Sequence, residues 1–310
     1  MNFPALDAKG ILLLALAGFT IFFIVVLVIG IRQAKQEKRD DVTPTAGTIG
    51  TGFVANFFDT LGIGSFATTT AIFRQWRMVR DEIIPGTLNA GHTLPTVAQA
   101  VIYTQIVPVD SKTLILMIVA AVAGAWLGAG FFSGWPRRNI QIGMGFALFV
   151  AALLMLYKAI KGDPTGGDAL ALSGGLLVAG LVGNFVLGIL MTIGIGLYGP
   201  CMLLVSLLGM NPTSAFPIMM GSCAFLMPVA SARFIKEKAW HPGATLAMAI
   251  GGIPAVLIAA YIVKSLPLNA VRYLVVVVVI YTSISLLRAA KYERSKTAEL
   301  QSGAKEVAGS

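Results

Sequence analysis

The sequence predicts an all-α integral membrane protein, and three observations support this class. Hydrophobic residues make up 56% of the 310 residues, whereas charged residues make up only 12%. The mean hydropathy is +0.82. A soluble chain is about a quarter charged, because its surface faces water. The third observation is a series of apolar runs long enough for a helix to cross a bilayer, which takes about 20 residues.

Seven of these runs are predicted to cross as helices, at 11–31, 83–108, 113–133, 139–160, 213–235, 241–264 and 267–287. The first run is full length and is followed at once by four basic residues between positions 32 and 39. A cleaved signal peptide carries its charges before a shorter run. We therefore predict a retained anchor, with the N-terminus outside the cell.

Two further apolar stretches do not have the pattern of plain helices. Residues 48–73 contain TLGIGSF at 60–66, and residues 170–208 contain TIGIGLY at 192–198. Glycines spaced two apart weaken a helix and permit backbone geometries closed to other residues. Each stretch is therefore predicted to be a broken helix that forms a re-entrant hairpin.

The two glycine motifs are 132 residues apart, and this offset indicates a duplicated chain. Pro85 and Pro217 match at the same offset, and Pro136 and Pro267 match at 131. The polar tail is expected to be disordered. The predicted organisation is an anchor with a basic linker at 1–46, a first repeat at 47–165, a second repeat at 166–290 and a cytoplasmic tail at 291–310.

Each predicted repeat contains one hairpin and three crossings, so the second repeat is inverted relative to the first. This topology places 17 of the 23 Lys and Arg residues on inside loops. Full crossing by both broken stretches would instead place Arg74, Arg77 and Arg80 outside, against the positive-inside rule. An alternative remains for the first arm of the second stretch, 171–193, which is long enough to cross alone.

Inverted repeats with broken helices are typical of secondary transporters, whose substrate site lies where the repeats meet. A helix broken within the membrane exposes N–H groups, and these are tolerated only beside a cavity or ligand. The positive ends of such half-helices favour anions. We therefore predict an anion site between the half-helices that begin near Ser65 and Leu197.

The first motif and its flank, FFDTLGIGSF at 57–66, resemble the TauE/SafE sulfite exporter family, also called the toluene-sulfonate uptake permease family. The resemblance covers about 47–290 and implies a permease of the bacterial inner membrane for sulfite, sulfonates, sulfoacetate or related organic anions. The family often has Gly-Gly after the Gly-Ile-Gly core. This chain has Ser65 and Phe66 in the first repeat, and Leu197 and Tyr198 in the second, which indicates a specialised branch.

Asp59 is the only acid well inside an apolar run, and an ionisable group there is by default a functional hypothesis. In an anion permease it would carry a proton or bind a cation; the alternative is a cap on the broken helix or an ion pair. His92, with Asn89 and Thr93 beside it, would relay a proton or donate to an oxyanion. The alternative for His92 is a buried structural histidine.

The hydroxyls of Ser65 and Thr68 border the first break and are predicted to bind the anion, although such hydroxyls commonly bond their own helix. Three arginines at 74, 77 and 80 would gather anions, but topology anchors in contact with lipid headgroups are favoured. The predicted substrate-binding residues are Gly64, Ser65, Thr68, Asn89, His92, Thr93, Gly196 and Tyr198, and the predicted coupling residues are Asp59 and His92.

The two cysteines and two histidines lack metal-ligand spacing, so no metal or cofactor is predicted. The basic residues are not interleaved with aromatics, so no nucleic acid partner is expected. The expected partners are a small anion and membrane lipid, with a homodimer left open. The predicted function is proton-coupled anion transport by alternating access. The alternatives are an anion channel of the same fold, a sodium-coupled transporter, and an intramembrane enzyme, for which no nucleophile–base pair is found.

Overall fold

The computed structural model describes residues 7–131, 137–160, 166–192 and 196–308 of the chain. Pro136 and Gly194, which belong to the repeat comparison, lie outside these residues. The described chain is helical, without strands, as predicted. Its helices are α1 (Ala8–Gln36), α2 (Ala46–Thr60), α3 (Ser65–Gln75), α4 (Ile84–Ile106), α5 (Ser111–Phe131), α6 (Arg137–Ile160), α7 (Gly174–Thr192), α8 (Tyr198–Leu207), α9 (Ala215–Lys236), α10 (Pro242–Ser265) and α11 (Leu268–Ala308).

Six helices of the described chain are long and apolar enough to cross a membrane, namely α1, α6, α7, α9, α10 and α11. Five of these are among the seven predicted crossings, and the sixth, α7, is the arm that the sequence marked as long enough to cross alone. The described apolar part of α5 is shorter, at Ser111–Leu127. Helix α4 is long enough at 23 residues, but it falls outside this set because it carries many polar side chains.

Both glycine-broken stretches fold back on themselves as hairpins. Thr51 near the start of α2 contacts Met78 just beyond the end of α3, with 3.8 Å between Oγ1 and Sδ. In the second stretch, Gly180 of α7 lies against Leu208 at the end of α8. With 15 residues in α2, the first hairpin extends about 22 Å, which is less than the roughly 30 Å of a hydrocarbon core.

Within the described residues, several loops predicted to lie inside the cell meet at one end of the molecule. Lys238 Nζ pairs with Glu37 Oε1 at 2.6 Å, and the guanidinium of Arg39 donates to the carbonyl of Trp240 at 2.8 Å. The start of α4 joins them, because the backbone N–H of His241 donates to Oγ1 of Thr87 in the first turn of α4. Positive charge is concentrated at this end, which we call the basic end.

Other loops of the described chain form the opposite end. Ala169 bridges Met210, the Asp110 N–H donates to the Leu170 carbonyl at 2.9 Å, and Arg272 pairs with Asp168. Both ends of the second hairpin lie here, whereas both ends of the first hairpin lie at the basic end. This arrangement is the one that inverted repeats would produce, and the inversion itself stays a prediction.

The main helix pairs also correspond between the two halves. Helix α2 packs on α10, and α7 packs on α5, each through a glycine at the contact. A Cβ on Gly251 would overlap the carbonyl of Ile49, and a Cβ on Gly188 would overlap the carbonyl of Ala121. Small residues allow such close approach of helices in membranes. The pairs α4–α9 and α6–α11 join the two halves directly.

The C-terminal tail differs from the sequence expectation. Disorder was predicted from residue 291 onward, whereas α11 continues as a helix to Ala308. The segment is polar but rich in Ala, Glu and Lys, which have high helix propensity, and it extends a helix that is already nucleated.

The centre of the fold is polar on one side. Helix α4 buries a series of polar side chains against α2, α3, α8 and α9: Thr87, His92, Thr93, Thr96, Gln99 and Thr104. Polar groups buried in a membrane protein are costly unless they are paired. These side chains therefore define where the candidate site lies.

Candidate functional site

Asp59 lies at the first helix break, in the last turn of α2, and its side chain is only 2% exposed. One carboxylate oxygen, Oδ1, accepts the backbone N–H of Ser65, the first residue of α3, at 2.5 Å. The carboxylate therefore caps the N-terminus of the returning half-helix. A negative charge at that position is stabilised by the helix dipole.

The other carboxylate oxygen of Asp59 connects the first break to the second. Gln99 of α4 donates from Nε2 to Asp59 Oδ2 at 2.9 Å. The Oε1 of the same amide accepts the hydroxyl of Tyr198, the first residue of α8, at 3.1 Å. The chain Asp59–Gln99–Tyr198 thus joins the start of α3 to the start of α8 through buried groups. We call these three residues and Ser65 the break network.

Two further residues hold the break network in place. Gln99 Nε2 also donates to Thr60 Oγ1 at 2.9 Å, and the hydroxyl of Tyr103 donates to the Thr60 carbonyl at 3.2 Å. The Gln99 amide thus bonds three partners: Asp59, Thr60 and Tyr198. Because a carboxylate accepts hydrogen bonds, the amide nitrogen must face Asp59, and the amide oxygen then faces Tyr198.

The two glycines predicted to bind substrate both border open space. A Cβ built on Gly64 or on Gly196 would meet no atom within 4 Å. Gly64 adopts φ 86°, which side chains other than that of glycine rarely allow. In contrast, Gly62 is packed against the sulfur of Met202. At the two breaks, Gly62 is therefore tightly packed, whereas Gly64 and Gly196 have open space beside them.

His92 belongs to a second buried cluster, on the same helix as Gln99. Its Nδ1 lies 3.0 Å from Asn56 Oδ1, and its Nε2 lies 3.0 Å from Thr69 Oγ1. Asn56 donates from its own nitrogen to the carbonyl of Gly52, so its oxygen must accept. This assigns a proton to Nδ1, and His92 links α2, α3 and α4. Both ring nitrogens are occupied by protein partners.

The other predicted residues are distributed around the two clusters. Thr68 Oγ1 lies 3.0 Å from the hydroxyl of Tyr281 on α11, so it joins the first hairpin to the second half. Thr93 contacts Ser231 of α9 at 3.2 Å, and Asn89 donates to the carbonyl of Pro85 in its own helix. The sequence placed Asn89 on the His92 face; the structure gives the two side chains different partners.

The structure brings Asp59, Ser65 and Tyr198 together as one group. It adds Gln99, Thr60 and Tyr103, which the sequence reasoning missed. A signal for Gln99 was present, because it lies seven residues after His92 and therefore on the same helical face, two turns away.

The second histidine, His241, has a local role at the basic end. It is the N-cap of α10, and its Nδ1 accepts the N–H of Ala244 at 3.1 Å. Burial lowers the pKa of this imidazole below its ordinary value, since the charged form is poorly solvated there. The neutral form is the one that accepts the capping bond.

Within the described residues, no group of three or more His, Cys, Asp or Glu side chains is arranged to hold a metal ion. Cys201 and Cys223 are both buried and unpaired as a disulfide. Cys223 Sγ lies 3.7 Å from the sulfur of Met191, beside the second break. Sulfur-containing side chains therefore lie beside the second break.

Comparison with known families matches the chain to one described as "Sulfite exporter TauE/SafE", over residues 3–155 and 176–309. No curated protein and no solved structure matches the chain. The match includes α1, which the sequence reasoning treated as an addition to the family fold, and both glycine-broken hairpins. The chain is thus a multi-pass membrane protein of the TauE/SafE sulfite exporter family.

Proposed function

We propose that the chain is a secondary transporter for a small oxyanion, such as sulfite, a sulfonate or a related organic anion. A proton carried on Asp59 would be coupled to the anion, and access would alternate between the two sides. The observation that carries this proposal is the position of Asp59, a buried carboxylate that holds the N-terminus of α3 and, through Gln99, reaches the start of α8.

The coupling follows from competition for the same donors. While Asp59 is charged, it occupies the Ser65 N–H and the Gln99 amide, which are the donors that an oxyanion at the break would need. A protonated Asp59 accepts these bonds more weakly, so the donors become available to the anion. Proton and anion then bind together, and the pair is less costly to carry across the bilayer than the anion alone.

The anion would bind at the open positions beside Gly64 and Gly196, near the starts of both half-helices. Helix N-termini suit oxyanions, because their N–H groups point at the ligand and their dipoles favour negative charge. The Tyr198 hydroxyl would contribute a further donor. His92 lies outside the break network, and both of its ring nitrogens contact residues of the first hairpin. We therefore assign it the role of holding the first hairpin against α4.

The orientation follows from the charge distribution. We place the basic end on the cytoplasmic side of the bacterial inner membrane, with the N-terminus outside and the end of α11 in the cytoplasm. Both helix breaks belong to one chain, so a single chain contains the whole proposed site.

The test is uptake of sulfite, sulfoacetate and a taurine-like sulfonate into proteoliposomes under an imposed pH gradient. Wild type is compared with Asp59→Asn, and with Asp7→Asn as the matched control, because Asp7 caps α1 and is not part of the break network, and Asn also caps helices well. Gradient-driven uptake that is lost only in Asp59→Asn supports the proposal.

Other outcomes would identify the alternatives. Uptake that ignores both the pH gradient and the Asp59 substitution contradicts proton coupling and favours an anion channel. Uptake that follows a sodium gradient, and is lost in Asp59→Asn, makes Asp59 a sodium ligand.

A further inference from the structure

The first hairpin ends in a cavity at the basic end that the transport proposal does not use. Its volume is about 490 Å³, and it is lined by Arg74, Arg77, Val79, Arg80, Asp81 and Tyr292. Arg74 lies nine residues after Ser65 along α3, which places its backbone about 14 Å from the first helix break. The cavity is therefore separate from the break network.

The local backbone explains why three arginines reach one cavity. Arg74 lies in the last turn of α3, and Arg80 precedes the short 3-10 helix Asp81–Ile83. Between them the chain reverses at Arg77, which adopts φ 49°. A positive φ is uncommon outside glycine and marks a tight turn.

One arginine is held in place by the other lining residues. Arg74 Nε donates to Asp81 Oδ1 at 3.1 Å, and its guanidinium stacks over the ring of Tyr292 at 4.4 Å. The Tyr292 hydroxyl donates to the other oxygen of Asp81. The only carboxylate in the lining is thus already engaged by its neighbours.

The remaining two arginines have unused binding capacity. Arg77 and Arg80 are exposed and form no ion pair within the described part of the chain. Three guanidinium groups therefore face one carboxylate across a concave surface. Guanidinium groups bind phosphate-like oxyanions through paired N–H donors, with a geometry that single ammonium groups lack.

The position of the cavity suggests where such a ligand would come from. Trp76, between Arg74 and Arg77 in the chain, is 65% exposed, and exposed tryptophan next to basic residues is typical of the membrane–water interface. At that level the phosphate of an anionic lipid headgroup and a free phosphate in solution both have access.

We propose that the cavity at Arg74, Arg77 and Arg80 is a binding site for a phosphate group, separate from the transport site. Arg74 is pre-oriented by Asp81 and Tyr292, and Arg77 and Arg80 close around the ligand. The phosphate belongs to an anionic phospholipid or to a free anion, and both sources share the chemistry that the arginines recognise.

The test titrates the full chain in neutral detergent by calorimetry with three probes: dioctanoyl phosphatidylglycerol, dioctanoyl phosphatidylcholine and inorganic phosphate. The variant is Arg77→Gln with Arg80→Gln. The matched control is Arg233→Gln with Lys236→Gln, which removes two positive charges near the basic end but outside the cavity. Arg77→Gln alone gives a second point should the double variant be unstable.

Loss of two charge-assisted contacts should weaken binding by about tenfold or more in the cavity variant and by little in the control. Binding of phosphatidylglycerol but not of phosphate would identify a lipid headgroup site, and binding of phosphate alone would identify a free anion. The proposal is overturned if wild type binds neither phosphatidylglycerol nor phosphate. It is also overturned if both double variants weaken binding equally, since the effect would then come from the net positive charge of the basic end and not from the cavity. None of these readouts depends on transport.

Discussion

The two helix breaks have the same architecture but different chemistry. In the first, the carboxylate of Asp59 accepts from the first residue of the returning half-helix. In the second, the position 132 residues later is Met191, and α8 begins at Tyr198, whose N-cap residue Leu197 forms no side-chain capping bond. One half of the duplicated chain therefore supplies a titratable group, whereas the other leaves its helix start free of an acid.

The same division is found on the central helices. His92 and Gln99 of α4 correspond to Ala224 and Ser231 of α9. The polar partners of the first hairpin are thus on α4, and their counterparts on α9 are small. The duplicated backbone therefore provides two similar helix breaks, but only the first carries an acid. The coupling that we propose needs one acid only, because Gln99 connects Asp59 at the first break to Tyr198 at the second.

The largest effect is expected from breaking the connection between the two breaks. Gln99→Leu keeps the side-chain volume but removes both donors and the acceptor. We expect loss of pH-driven uptake and a destabilisation of about 2–3 kcal/mol, because a buried carboxylate loses a hydrogen bond. Proteoliposome uptake and thermal unfolding measure the two effects.

The matched control is Ser231→Ala, at the corresponding position of α9. It should retain uptake and cost about 1 kcal/mol or less. Normal gradient-driven uptake by Gln99→Leu would show that the break network is not part of the coupling path.

A second substitution separates support from coupling. His92→Ala removes the bonds to Asn56 and Thr69, and we expect a loss of about 2 kcal/mol in unfolding free energy, since buried partners are left unpaired. The pH dependence of uptake should remain, because Asp59 is untouched. His92→Gln, which keeps a donor and an acceptor, should recover part of the stability. If His92→Ala folds normally but uptake no longer responds to pH, His92 has the coupling role that the sequence predicted.

A third pair of variants compares the glycines of the two breaks. Neither Gly64 nor Gly196 has an atom near its absent side chain, but only Gly64 has a positive φ. Gly64→Ala should therefore cost about 1–3 kcal/mol through backbone strain alone, whereas Gly196→Ala should be close to neutral. Thermal unfolding of the two variants side by side tests this. Equal effects would mean that the two breaks do not differ in backbone conformation.

The smallest effect expected is on the pH dependence of stability, through His241 at the basic end. Because burial lowers the pKa of His241, the unfolded chain binds more protons at this residue, so its contribution to stability is full above pH about 6.5 and falls as the pH drops. His241→Asn keeps an N-cap acceptor but does not titrate. The difference in melting temperature between wild type and variant should therefore shrink, or change sign in favour of the variant, as the pH is lowered. A difference that is constant with pH would contradict this.

Much of the framework could be predicted from the sequence because its signals are local. Apolar runs gave the helices, and glycines two apart gave both hairpin breaks. Asp59, Ser65 and Tyr198 were selected because they are polar or flank a break, and the structure places them in one network. Helix α4 was also predicted, as the run at 83–108, and its many buried polar side chains make it less apolar than the other crossings.

The partners of these residues could not be predicted, because they depend on how helices pack. Gln99 reaches Asp59 and Tyr198 only through the packing of α4 between the two hairpins. His92 was assigned to substrate or proton relay, yet its neighbours on α2 and α3 take both of its nitrogens. Sequence spacing places residues on one helical face but does not say which helix that face contacts.

The central claim is that Asp59 takes up a proton when the anion binds. The most direct measurement follows proton uptake with a pH indicator while a sulfonate is added to the purified protein in weakly buffered detergent solution. Linkage predicts about one proton taken up per anion bound by wild type, and none by Asp59→Asn. Anion binding by wild type without proton uptake, or equal uptake by the variant, would contradict the account.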